Sequence, residues 1–295
     1  MIKRLAVGGA AVLALTGMSV TGAAASTAGS QPGLATRVEH VDTNGVKATV
    51  TLRGGWRLGK SMPLTHLRAV KATSTAETYN WAGYVDTGHN VAFRFAAADF
   101  YAPNVQCNSS LVENGQSVVD YAVGLGGWNG SETGEQVGFQ QDCNPSDTPD
   151  LTFASYYVIG DTGETITGAQ PGDILAASVY YNPSGEYQLA VNDLTEPGGF
   201  STTVSCPSTC DNTAAEVISN AFGSPSGYGL ADYGAALFEN AAVTSRAGTR
   251  GNLGASKLWS PTTVTAYDAS SGDLLQSTGG LVGGSGFTET WKAVS

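Results

Sequence analysis

The chain has 295 residues, of which 41% are hydrophobic and only 13% charged, with 39 glycines and a formal net charge of -11. That length holds one large domain or two ordinary ones with a real core, and the glycine content with so little charge excludes a helical bundle. An acidic surface has no basic face for phosphate, so nucleic acid is excluded as a partner.

The chain opens with Lys3 and Arg4, an apolar run from Leu5 to Leu15, and small residues at Ala23 and Ala25. This is the pattern of a secretory signal over residues 1–25, cleaved after about Ala25. A membrane anchor is the alternative, but the apolar run is short for a spanning helix. No later run is long enough, so an exported protein with no membrane contact after signal removal is expected. Residues 26–75 carry the basic residues Arg37, Lys47, Arg53, Arg57, Lys60, Arg68 and Lys71 against Glu39 and Asp42. Beyond Thr75 the only basic residues are Arg94, Arg246, Arg250, Lys257 and Lys292, and the acidic ones far outnumber them. A basic leader ahead of an acidic domain over 76–295 suggests an inhibitory pro-segment that lets go when carboxylates are protonated. A flexible basic linker is the bland alternative.

The remainder reads as strands at short intervals: Tyr79 to Val85, Val91 to Ala97, Val118 to Leu125, Gln136 to Phe139, Leu151 to Ile159 and Ile174 to Tyr181. Further along come Tyr187 to Asn192, Phe200 to Ser205, Ala235 to Thr244, Thr262 to Tyr267 and Phe287 to Val294. Turn residues fill the gaps, as in PSGE at Pro183 to Glu186 and SSGD at Ser270 to Asp273. Frequent strands without alternating helices imply an all-β antiparallel sandwich of two packed sheets. Cys107, Cys143, Cys206 and Cys210 allow three disulfide pairings, of which Cys107 with Cys143 and Cys206 with Cys210 is favoured. A metal site is disfavoured, because His89 is the only histidine beyond residue 75 and no second closely spaced cysteine pair accompanies Cys206 and Cys210. His89 itself, in a turn-like context, reads as a surface loop residue.

Two stretches carry chemistry. Thr213 to Phe222, TAAEVISNAF, places the carboxyl of Glu216 among small and apolar residues, where desolvation favours its protonated form. Glu135 to Phe139, EQVGF, places the amide of Gln136 on one strand face and Glu135 on the other. A carboxyl for proton transfer beside an amide for an oxyanion suits a hydrolase. By propensity Thr213 to Phe222 is as much helix as strand, with Asp211 or Thr213 as cap. On an outer helix Glu216 would be an ordinary solvated acid. Trp81 is placed as one wall of a cleft or as a core residue, and of Tyr156 and Tyr157, which alternate faces, at most one faces the groove. A glycosidase reading needs a second carboxylate, Asp120 or Glu135, across a groove from Glu216. A carbohydrate-binding module and an inactive relative are the other readings kept open.

NWAGYV (Asn80 to Val85), VGLGGWNG (Val123 to Gly130), QVGF, AEVISNAF (Ala215 to Phe222) and LADYGAALFENAAV (Leu230 to Val243) together resemble the eqolisin-type glutamic peptidases, in order and rough spacing. The resemblance implies a concanavalin-like β-sandwich of two curved sheets, signal and pro-segment, and acid endopeptidase activity by a Gln and Glu pair. It implies no metal and no cofactor. It identifies Gln136 and Glu216 as the catalytic pair and Thr213 to Phe222 as a strand on the concave sheet, with a polypeptide as substrate. Trp81 and Tyr157 are the expected substrate-binding residues, the pro-segment the expected inhibitor, and a monomer the expected state. The chain departs from the family where Ala122 stands for a cleft tryptophan, Gly126 for an aspartate, and Val217 for the tryptophan after the glutamate. The family's aromatic and acidic strand corresponds to Ser155 to Ile159. These departures bear first on specificity and then on activity.

Overall fold

The structure is a computed structural model that describes residues 74–78, 81–107, 117–128, 134–143, 170–195, 198–206, 210–220, 229–254, 256–268 and 271–292, with backbone pairing for 36–41, 47–52, 69–70 and 156–157. The signal, most of the leader and most of Leu151 to Ile159 lie outside the described residues. Three short strands come first: β1 (Thr36–Val41), β2 (Lys47–Leu52) and β3 (Ala69–Val70). Then follow β4 (Ser74–Thr78), β5 (Trp81–Thr87), β6 (Phe93–Tyr101), β7 (Ser117–Gly126), β8 (Gly134–Cys143), β9 (Tyr156–Tyr157), β10 (Ile174–Tyr181) and β11 (Glu186–Asp193). The C-terminal part supplies β12 (Gly198–Ser205), β13 (Ala214–Asn220), β14 (Gly229–Leu230), β15 (Ala235–Ser245) and β16 (Arg250–Asn252). It closes with β17 (Ser260–Tyr267), β18 (Leu274–Thr278), β19 (Leu281–Val282) and β20 (Phe287–Trp291).

No helix occurs among the described residues, and none there is long and apolar enough to cross a membrane. Sixteen strands share one hydrogen-bonded sheet, whose main path runs β12, β11, β10, β6, β15, β20, β18, β17, β5, β13, β7, β8, β9, with β14, β16 and β4 paired to β7, β15 and β17 beside it. Pairing is antiparallel except for β4 on β17 and β14 on β7. The long path curls so that β6, β10 and β11 lie face to face with β13, β7 and β8. The expected antiparallel sandwich is thus formed by two packed layers that are continuous through one hydrogen-bonded path.

The core fills the space between the layers. Phe100 of β6 meets Phe139 of β8 and Phe238 of β15, while Tyr84 of β5 meets Phe287 of β20, which stacks on Phe238. Edge-to-face and stacked rings of this kind add to the burial of their area. Turn chemistry places the strands: Asn182 Oδ1 accepts from the N–H groups of Ser184 and Glu186, and Gly185 takes φ +82°. A side-chain acceptor and a residue free to adopt positive φ close that hairpin.

Within Thr213 to Phe222, Ala214–Asn220 form strand β13, hydrogen-bonded to β5 on one side and β7 on the other. Two flanking ladders satisfy its backbone, and Val217 and Ile218 are fully buried. That outweighs the weak helical preference of its alanines and Glu216. Cys206 and Cys210 are joined, and Cys107 is also disulfide-bonded. Arg246 donates to the Cys210 carbonyl and lies 4.8 Å over the Tyr181 ring, tying the small disulfide loop to β10.

Candidate active site

β13, β7 and β8 are successive neighbours. Glu216 pairs with Gly124, and Gly124 with Gln136, so the three residues stand in one row across three strands. Residues directly opposed share a face, which leaves Glu216 and Gln136 pointing the same way across two strand spacings, about 9.6 Å of backbone. Their side chains span that gap because the residue between them has none. A Cβ at Gly124 would stand 2.8 Å from Gln136 Cγ and 3.2 Å from Glu216 Oε2. Over the bare glycine, Gln136 Nε2 donates to Glu216 Oε2 at 3.0 Å.

The surroundings are dry. Glu216 is 2% exposed, and its Oε1 has no hydrogen-bond partner among the described residues. Burial pushes its pKa up to about 8, and the bond from Gln136 pulls in the opposite direction by favouring the carboxylate. This is the direction that the small and apolar neighbours of Glu216 in the sequence implied, since desolvation disfavours the charged form. On the opposite face of β13, Glu289 is fully buried and also raised to about 8. It accepts from the Ser219 hydroxyl, to which Gln276 Nε2 also donates at 2.8 Å. The strand that carries Glu216 is thus pinned from behind by a polar network inside the core.

The profile of the Peptidase A4 family matches residues 79–278. The chain belongs to that family. It is a peptide hydrolase. The crystal structure of scytalido-glutamic peptidase with a transition state analog inhibitor is 20% identical over 72% of this chain and 98% of its own, with a TM-score of 0.56. SCP-B, a member of the eqolisin family solved in a complex with the tripeptide Ala-Ile-His, is 19% identical over 72% of this chain and 98% of its own, with a TM-score of 0.53. These likenesses show a shared fold, the jelly-roll-like β-sandwich. No curated protein matches the chain.

In this A4 peptidase the other sequence candidates fall as follows. Tyr157 pairs with Gln136 through β9, so its position continues the row of Glu216, Gly124 and Gln136. Trp81 lies on the same face of β5 as Val85, which is directly opposite Glu216. Glu135 points into the core, as the strand alternation implied. Asp120 shares the Glu216 face but pairs with Asn220, four residues further along β13. His89 is exposed in the turn after β5. Sequence reasoning missed two residues. Gly124 was noticed only within a glycine-rich run, although the two-residue alternation of β7 and β8 carries the signal for its place. Trp128 had no signal, because nothing local to it shows that it packs against Trp81 at 5.4 Å between ring centroids.

Proposed function

We propose that the chain is an exported endopeptidase in which Glu216 moves protons and Gln136 binds the oxyanion. The observation that carries this reading is the 3.0 Å hydrogen bond between their side chains across Gly124. In the cycle, a water bonded to Glu216 Oε1 loses a proton to the carboxylate while its oxygen adds to the peptide carbonyl. The Gln136 amide then donates to the tetrahedral oxyanion, and Glu216 returns the proton to the leaving amine as the C–N bond breaks. With a pKa of about 8, the dry carboxyl would be ionised in roughly one molecule in 10⁴ at pH 4. Water reaching Oε1 is therefore part of the first step, because solvation favours the carboxylate.

The glycosidase reading fares worse. The group that meets the Glu216 carboxyl is the Gln136 amide, while Asp120 stands four residues along from the Glu216 row, so the pair in contact is not the two carboxylates that a glycosidase sets across a groove. The leader is proposed as inhibitor, its basic residues held by the acidic domain until acid protonates the carboxylates. Its boundary with the domain is proposed between residues 75 and 76.

Acid digestion of an unfolded protein by the processed chain tests the function. New amino termini are expected, and Glu216→Gln should remove them while leaving the fold intact. Equal cleavage by that variant, or release of reducing sugar from a polysaccharide instead, rejects the assignment.

A further inference from the structure

A second carboxyl, distant from Glu216 in sequence, lies in the core directly behind β13. Glu289 of β20 is fully buried, as are Ser219 of β13 and Gln276 of β18. Ser219 donates its hydroxyl to Glu289 Oε2, and the Ser219 backbone bonds to the same carboxyl. Gln276 Nε2 in turn donates to Ser219 Oγ at 2.8 Å and to the Tyr233 hydroxyl at 3.1 Å. Tyr84 of β5, Tyr121 of β7 and Tyr233 stand close enough to feel the charge of Glu289, and Tyr121 is directly opposite Ser219 in the ladder. No cation stands among these groups, so burial outweighs the bonds from Ser219 and the carboxyl keeps its proton in acid.

Glu289 reaches β13 through a gap that Gly83 leaves in β5. Gly83 is in register with Ile218 and takes φ +133°, a conformation that residues with a side chain rarely adopt. The place of a Cβ there is already filled by the Val217 carbonyl oxygen, by Ile218 Cα at 2.8 Å and by Glu289 Oε1 at 2.9 Å. Oε1 has no hydrogen-bond partner among the described residues. Protonated, it has a hydrogen to give, and the Val217 carbonyl crowds the same point. Val217 is the residue that follows Glu216. A neutral carboxylic acid both donates and accepts, so it can grip β13 at Val217 and at Ser219 together. An ionised one only accepts, and it is costly where no cation answers it.

We infer that Glu289 is a positioning residue for the reacting pair: entering beneath Gly83 and bonded to Ser219, it fixes β13 at the place where Glu216 meets Gln136. The inference rests on the reading of Gln136 and Glu216 as that pair. Their bond reaches across three strands over a bare glycine, so a small slip of β13 lengthens it, and a site of this kind depends on the shell behind it. Alanine at Ser219 or Glu289 releases the grip. Glu289→Gln keeps it, because an amide N–H stands in for the acid's O–H and the remaining oxygen still accepts from Ser219.

The test reads the ionisation of Glu216 itself, by carboxyl carbon NMR of glutamate-labelled processed protein, with the signal identified by its loss in Glu216→Gln. A carboxylate deprived of the Gln136 donor is less favoured, so Ser219→Ala and Glu289→Ala should each raise the Glu216 pKa by about one to two pH units. Glu289→Gln should leave it within about half a pH unit of its place in the unsubstituted protein. Adding Gln136→Ala to Ser219→Ala should raise it little further, since both changes act through one bond. Only folded molecules contribute to the signal, so a role confined to stability would lower Tm and leave the Glu216 titration where it was. If Glu289→Ala does not fold, Ser219→Ala, which removes a single oxygen, carries the comparison. On a peptide that the processed protein cleaves, the alanine variants should lose about tenfold to a hundredfold in kcat with KM within about threefold, and Glu289→Gln should restore kcat at pH values where Glu289 is protonated. An unmoved Glu216 titration in Ser219→Ala, or a shift in Glu289→Gln as large as in Glu289→Ala, overturns the positioning role. Absence of cleavage by the unsubstituted processed protein instead ends the reading of the reacting pair, and the titration still decides whether Glu289 holds Glu216 against Gln136.

Discussion

A carboxyl that keeps its proton to about pH 8 becomes a base only when water and hydrogen-bond donors reach it, and Gln136 is the donor already in place. Glu216→Gln should lower kcat by about 10²-fold to 10⁴-fold, the usual worth of a positioned acid and base, with circular dichroism unchanged. Gln136→Ala should cost roughly 3 kcal/mol in transition-state binding, as for other single oxyanion donors. It has a second consequence with a definite sign. The amide stabilises the carboxylate, so its loss raises the pKa of Glu216, and the ascending limb of kcat/KM against pH should move to higher pH. A limb that stays put, or moves to lower pH, separates Gln136 from the ionisation of Glu216.

At the scale of strands, the pair depends on register. Gly124 carries no positive φ, so its backbone tolerates a side chain, and Gly124→Ala acts through the 2.8 Å approach to Gln136 Cγ. A large loss of kcat is expected with destabilisation of about 1 to 3 kcal/mol, the range of overpacking. Gly138 is the contrast. A Cβ there would lie 1.7 Å from the Tyr121 carbonyl oxygen, so Gly138→Ala should force β7 and β8 apart and lower Tm sharply. Similar Tm values for the two variants would contradict this division between a spacer in the site and a spacer in the ladder. The same scale shows what was legible beforehand. Alternation correctly put Gln136 and Glu135 on opposite faces, because that property belongs to a single strand. Thr213 to Phe222 was ambiguous from propensity, because strand formation there depends on β5 and β7 flanking it. Only the family resemblance pointed to the strand, and Ala214–Asn220 form it as β13.

Over the whole molecule, burial raises the pKa of Asp86, Asp99, Glu216 and Glu289, to about 6 for Asp99 and about 8 for Glu216 and Glu289. Each holds its proton in the folded chain and loses it near pH 4 once unfolded. The unfolded state then binds fewer protons, so stability falls as pH rises, by about 1.4 kcal/mol per pH unit for each such group. The fall begins near pH 4 and ends for each group where its folded form ionises. Tm should therefore be highest at about pH 4 or below and decline towards pH 8. Glu289→Gln should flatten the decline by one proton's worth, and a Tm that climbs between pH 4 and 8 would falsify the assignment. Such a fold suits an acidic medium, in line with the proposed activity.

Composition, turn residues and two-residue alternation pointed by themselves to an all-β chain and to opposite strand faces for Gln136 and Glu135. These are properties of neighbouring residues along one strand. Only the tertiary structure decided that Gly124 lies between the pair, that Trp128 turns back onto Trp81, and that Glu216 is dry enough to be raised to about 8. Each of those depends on register and burial between segments distant in sequence, and no local pattern records which strands will lie side by side.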